Sequence, residues 1–141
     1  METNVVWKDG LAFEAELDGH KFMIDADEAV GGRNLGPRPK GLLVTALVGC
    51  TGMDVASILQ KMRVPLKRLE VKAVGDLTDD HPRKFHTITV QYLFEGVDLP
   101  IDRLKRAVEL SETRYCGVSA TLTPTVTLKS EIWVNGEQVV D

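Results

Sequence analysis

From Leu42 to Val48 the chain is apolar at nearly every position, and apolar character resumes after Cys50 through Met53, Val55, Ile58, Leu59 and Met62. No other segment is so long or so apolar. Pro39 suits a first helical turn, where its missing N–H does no harm, and Arg63-Val64-Pro65 closes the segment because proline cannot continue a helix. A helix with no polar face belongs inside a protein or a membrane. Thr45, Gly49, Thr51, Gly52 and Asp54 interrupt this one, so it falls short of the roughly 18 uninterrupted apolar residues of a membrane span. The expectation is a buried helix around which the remaining elements wrap.

The flanking segments supply the wrapping. Val5 to Trp7 and Leu11 to Leu17 alternate about Asp9-Gly10, and Lys21 to Asp25 follows Asp18-Gly19, which predicts a small antiparallel meander. Asp27 to Pro39, with Gly31-Gly32, Gly36-Pro37 and Pro39, reads as a loop that carries Arg33 and Arg38. Leu69 to Val74 and Phe85 to Phe94 predict two long strands joined across Thr78 to Arg83. Asp98-Leu99-Pro100 opens an amphipathic helix with Ile101, Leu104, Ala107 and Val108 on one face. It should end near Arg114 to Cys116, with Gly117 as a left-handed stop. Val118 to Leu122 and Thr125 to Val134 then read as strands, with Asn135-Gly136 as the last turn. Strands grouped in runs define an α+β class with mostly antiparallel sheet, in one domain spanning 1–141. A dimer in which the partner completes the burial of the long helix fits this layout.

Charge excludes some partners. Seventeen basic and 21 acidic residues give a net −4 without a run of like sign, which argues against nucleic acid and anionic membranes. Met1-Glu2-Thr3-Asn4 has neither the basic nor the apolar region of a signal peptide, so the expectation is a soluble cytoplasmic protein with reduced thiols. Two cysteines and three scattered histidines do not make a metal site. No serine or aspartate stands in a nucleophile motif, and the glycines form no phosphate-binding pattern.

What remains is the pair Cys50 and Cys116, each beside a glycine. A lone cysteine on an apolar helix is most often a small buried hydrophobe. Gly49 and Gly52, each costing about 0.5–1 kcal/mol in a helix, ask for a compensating close approach. As a working pair, Cys50 attacks the O–O bond of a peroxide and becomes a sulfenic acid, which Cys116 resolves to a disulfide. The first step needs a cation or another means of lowering the thiol pKa. Cys50 lies too deep in its helix for the macrodipole, which leaves Arg38 or Arg33 from the loop.

Gly31-Gly32, Gly36-Pro37-Arg38-Pro39, Leu42-Leu43, Val48-Gly49-Cys50-Thr51-Gly52-Met53-Asp54-Val55 and Tyr115-Cys116-Gly117-Val118-Ser119 resemble the motifs of the OsmC/Ohr family, the osmotically inducible and organic hydroperoxide resistance proteins. The resemblance is to the OsmC-like branch and runs from about Trp7 to the last strand. It implies an intertwined homodimer in which mostly antiparallel sheets wrap central helices. It also implies a thiol peroxidase with Cys50 peroxidatic and Cys116 resolving, no bound cofactor or metal, and an external dithiol reductant such as a lipoylated protein. The family glutamate near the helix start is replaced here by Lys40-Gly41. That departure motivates an alternative, a non-catalytic protein holding a small hydrophobic ligand at the dimer interface.

Overall fold

A computed structural model of the chain describes residues 1–140. It comprises two compact units, one ending at Leu43 and the other beginning at Val44.

The first unit is built on a three-stranded antiparallel sheet of β1 (Thr3–Asp9), β2 (Ala12–Leu17) and β3 (His20–Ile24). The meander forms as its turns predict, with Gly10, Asp18 and Gly19 at positive φ. Ala12 and Ala15 are buried, whereas every residue of β1 is exposed, Val5, Val6 and Trp7 included. The following loop is ordered by one buried carboxylate. Asp25 accepts the N–H groups of Ala26 at 2.7 Å, Arg33 at 3.1 Å and Leu35 at 3.2 Å. Its glycines are obligatory at two points, since a Cβ on Gly32 would stand 2.0 Å from the Ala26 carbonyl oxygen and one on Gly36 2.1 Å from that of Met23.

The second unit holds the hydrophobic core. Its four-stranded sheet runs in the order β4 (Arg68–Leu77), β5 (Phe85–Glu95), β6 (Thr127–Val134), β7 (Glu137–Val139). Ile88, Val90, Tyr92 and Phe94 alternate into the core along β5. They meet Leu47, Val55 and Leu59 of α1 (Pro39–Lys61), whose first residues belong to the other unit, and Leu104, Ala107 and Val108 of α2 (Ile101–Leu110). The sheet is antiparallel except at β5–β6, which pair in parallel from Thr87↔Thr127 to Phe94↔Val134. A parallel pair needs a long crossover. Here α2, a π turn (Ser111–Tyr115) and a short α3 (Gly117–Leu122) supply it.

Three expectations are corrected. Val118 to Leu122 is helix, not strand: Cys116 caps it by accepting the Ser119 N–H on Sγ, and Thr121 returns its hydroxyl to the Gly117 carbonyl at 2.8 Å. Local capping overrides the β-branched composition. Gly117 is accordingly no left-handed stop but the first residue of α3, outside the positive-φ set. The long helix, expected to be enclosed on all sides, buries only the stripe Leu47, Thr51, Val55 and Leu59 within the chain, while Met53 is 76% exposed. By length and composition alone it would also pass as a membrane span, despite its polar interruptions.

Candidate functional site

Cys50 and Asp54 lie one turn apart on α1 and so share a face of the helix. Cys116, the residue that caps α3, lies beside that face. The π turn carries it there: the Cys116 N–H bonds back to the Ser111 carbonyl at 2.8 Å, and the chain then enters α3. Single π turns inside helical segments recur at functional sites. The two sulfurs and an Asp54 carboxylate oxygen all lie within 4.8 Å of one another. Both cysteines are free thiols, Cys116 buried and Cys50 partly so.

The first turn of α3 faces the pair with backbone donors. The Val118 N–H bonds to Cys50, and the Ser119 N–H lies 3.3 Å from Cys116 Sγ. The Val118 bond favours a Cys50 thiolate, but burial, a hydrogen bond to Cys116 and the charge on Asp54 outweigh it, so the Cys50 thiol lies above its ordinary pKa. At rest the site favours the thiol. Asp54 also accepts the Ser111 hydroxyl at 3.0 Å. The cluster sets two thiols and a carboxylate side by side.

Ser111 continues inward. Its hydroxyl is 2.8 Å from Thr51 Oγ1, which is 2.8 Å from the Tyr92 hydroxyl, which in turn is 3.2 Å from Glu112 Oε1. Ser130 donates to the other Glu112 oxygen at 3.4 Å. Burial pushes the Glu112 carboxyl above its usual range, against the hydrogen bonds from Tyr92 and Ser130. Burial also raises the Tyr92 phenol well above its ordinary value. On the other side of Asp54 lies a hollow of about 540 Å³ whose lining includes Ser57, Ile58, Lys61, Met62 and Tyr115.

The loop arginines make their contacts in the first unit. Arg38 is held by Asn34 Oδ1 at 2.7 Å, the Gly36 carbonyl at 2.9 Å and Asp27 Oδ2 at 3.1 Å, and Arg33 pairs with Asp9 at 3.5 Å. Asp27 thus gives Arg38 an orienting carboxylate in a chain that has Lys40-Gly41 where the family carries glutamate. Of the expected glycine contacts, Gly52 lies against Val71, 3.4 Å from where a Cβ would stand, whereas a Cβ on Gly49 meets open space in its unit.

The sequence reading passed over Asp54, Ser111, Thr51, Tyr92 and Glu112. A signal existed for the first: a lone carboxylate one turn beyond the cysteine, inside an otherwise apolar helix. The others belong to three separate elements, and only the packing joins them.

With this α+β fold and thiol pair, the chain belongs to the OsmC-like protein family, whose model matches residues 31–131. Among individual proteins it is similar to Protein YhfA of Escherichia coli strain K12, 33% identical over 129 residues that cover 91% of this chain and 93% of that protein. Its fold matches that of a hypothetical protein from Aquifex aeolicus VF5, with a TM-score of 0.84, 26% identity and 95% of each chain covered. An organic hydroperoxide resistance protein from Legionella pneumophila shares the fold at a TM-score of 0.69 and 16% identity, covering 95% of this chain and 98% of that one.

Proposed function

We propose that the protein is a cytoplasmic dithiol peroxidase that reduces organic hydroperoxides, and hydrogen peroxide, with Cys50 as the peroxidatic and Cys116 as the resolving residue. The observation that carries the reading is the placing of two free thiols and a carboxylate within 4.8 Å of one another. The Cys50 thiolate attacks the terminal peroxide oxygen, the O–O bond breaks, and the alkoxide leaves with a proton as the alcohol. Cys116 then attacks the sulfenic sulfur and water departs, leaving a disulfide. Two electrons from an external dithiol, such as a lipoylated protein, reopen it, and no bound metal or cofactor is required.

Because the resting Cys50 thiol lies above its ordinary pKa, activation needs a nearby cation or base. Arg38, already oriented by Asp27, is the cation we favour, with Arg33 second and Lys40 a further source of positive charge. A homodimer fits the open face of α1 and the exposed apolar side chains of β1.

The test is stopped-flow consumption of cumene hydroperoxide with a dithiol reductant. Cys50→Ser should abolish turnover, and Cys116→Ser should leave a sulfenic acid that dimedone traps. Equal turnover in wild type and Cys50→Ser would sink the proposal.

A second reading has its own observation. The first unit carries an open apolar hollow of about 440 Å³ whose lining includes Val5, Leu11, Phe13, Ile24, Val30 and Pro39. A non-catalytic protein carrying a small hydrophobic ligand would show unreactive thiols and a bound ligand in native mass spectrometry.

A further inference from the structure

Four hydrogen bonds join two carboxyl groups through three hydroxyls. Asp54 Oδ2 meets Ser111, Ser111 meets Thr51, Thr51 meets Tyr92, and Tyr92 meets Glu112 Oε1, at 3.0, 2.8, 2.8 and 3.2 Å. Each bond requires one proton, and each hydroxyl brings one. Three protons cannot fill four bonds. With both carboxyls ionised, Ser111 donates to Asp54 and Tyr92 donates to Glu112, and Thr51 can then satisfy only one of its two neighbours. Two buried oxygens would be left 2.8 Å apart with no proton between them.

We infer that Asp54 and Glu112 share one proton through the Ser111–Thr51–Tyr92 hydroxyls, and that this chain sets the charge of Asp54 beside the thiol pair. In one arrangement Glu112 is the acid and every hydroxyl points toward Asp54; in the other Asp54 is the acid and every hydroxyl points toward Glu112. The heavy atoms are the same in both. Passing from one to the other moves one proton from end to end as each hydroxyl gives up its own and takes its neighbour's. Burial raises the Glu112 carboxyl and so favours the arrangement in which Glu112 is the acid.

Within the proposed peroxidase reaction, on which this part of the inference rests, Asp54 takes the proton of the Cys50 thiol and the freed thiolate attacks the peroxide. Asp54 then returns the proton to the departing alkoxide, so that thiol and hydroperoxide become sulfenic acid and alcohol with no net proton change. The chain sets the resting charge of Asp54. Asp54 exchanges protons with the reacting atoms, whereas Glu112, Tyr92, Thr51 and Ser111 act through it as positioning residues.

Charged and titratable groups among the described residues border both ends. Glu112 faces Tyr92 of β5 and Ser130 of β6, and shares a hollow with Lys105 and Glu109 of α2, while β7 contributes Val139 there. Asp54 faces Cys50 and Cys116, and shares its hollow with Lys61 of α1 and Tyr115 of the π turn.

The deciding measurement needs no peroxide. Carbon-detected NMR titration of the side-chain carboxyls should find Glu112 protonated at neutral pH in the wild type. An amide at the far end can donate the missing proton, so Asp54→Asn should release the Glu112 proton and lower its apparent pKa by at least one unit, a tenfold loss of proton affinity across the core. Glu112→Gln should leave Asp54 ionised at neutral pH. Glu112 ionised at neutral pH in the wild type, or a Glu112 titration unmoved by Asp54→Asn, would overturn the shared proton whether or not the protein consumes peroxide. If Asp54 serves catalysis, Asp54→Asn should slow hydroperoxide consumption at least tenfold at neutral pH and alter its pH profile, within the range that acid–base assistance supplies. An unchanged rate and profile in an active enzyme would remove the catalytic role.

Discussion

Asp25 orders its loop as a carboxylate and not merely as a polar side chain. Burial raises its pKa, but three backbone N–H donors more than compensate, and the group lies below its ordinary value. A depressed folded-state pKa contributes stability above the unfolded value, near 4, that is lost as pH falls through the folded one. The protection factors of the Arg33 and Leu35 amides against hydrogen exchange should therefore fall on acidification below about pH 4, and in Asp25→Ala at any pH. Glu112 has the opposite sign: its raised folded pKa contributes stability that is full below the unfolded value, near 4.3, and lost as pH rises through the folded one. At Cys50 the raised pKa sets the reactivity. Iodoacetamide labelling should climb as pH rises past the ordinary thiol value of about 8.5, and Glu or Gln at Arg38 should push that rise higher if the guanidinium supports the thiolate.

Among the elements, α1 shows how far a pattern can be read. Its extent was legible because Pro39 and Pro65 bracket it and nothing inside breaks it. Which of its faces is buried was not, because apolar residues fall on every side of the helix and leave little phase; the stripe Leu47, Thr51, Val55 and Leu59 is chosen by what β5 and α2 present. Leu59→Ala, at a fully buried position, should cost about 2–5 kcal/mol in chemical denaturation. Met53→Ala on the open face should cost little in the monomeric unit. The strands β4 and β5 were readable from alternation, and the Asn135-Gly136 turn from its residue types, both now at positive φ. The Val118 to Leu122 segment was misread because its β-branched residues signal strand, while what decides it is a cap made by Cys116. The same cap brings the second sulfur to the first. In the site, the two cysteines were visible in the sequence as an isolated pair, but their partners Asp54, Ser111 and Glu112 acquire meaning only through contacts between elements distant in the chain.

For the whole molecule, the decisive quantity is the apolar surface that a single chain leaves uncovered. Val5, Val6 and Trp7 of β1 are exposed, and so is Met53 on α1. Monomeric proteins seldom leave large contiguous apolar patches in water. Analytical ultracentrifugation should give twice the 15.6 kDa chain mass, and Trp7→Glu or Met53→Glu should shift the population toward monomer. A wild type that sediments as a monomer at micromolar concentration would remove the proposed dimer.

The parallel pairing of β5 with β6 has a consequence for biosynthesis. A ribosome releases β5 long before β6, and the intervening stretch through α2, the π turn and α3 must emerge before the strand that anchors its far end. Thr127–Val134, pairing with β5, anchors the far end of that crossover to the sheet. Cys50 therefore leaves the ribosome well before Cys116, and the cap at Cys116 that sets the second sulfur beside the first forms only after the crossover has emerged.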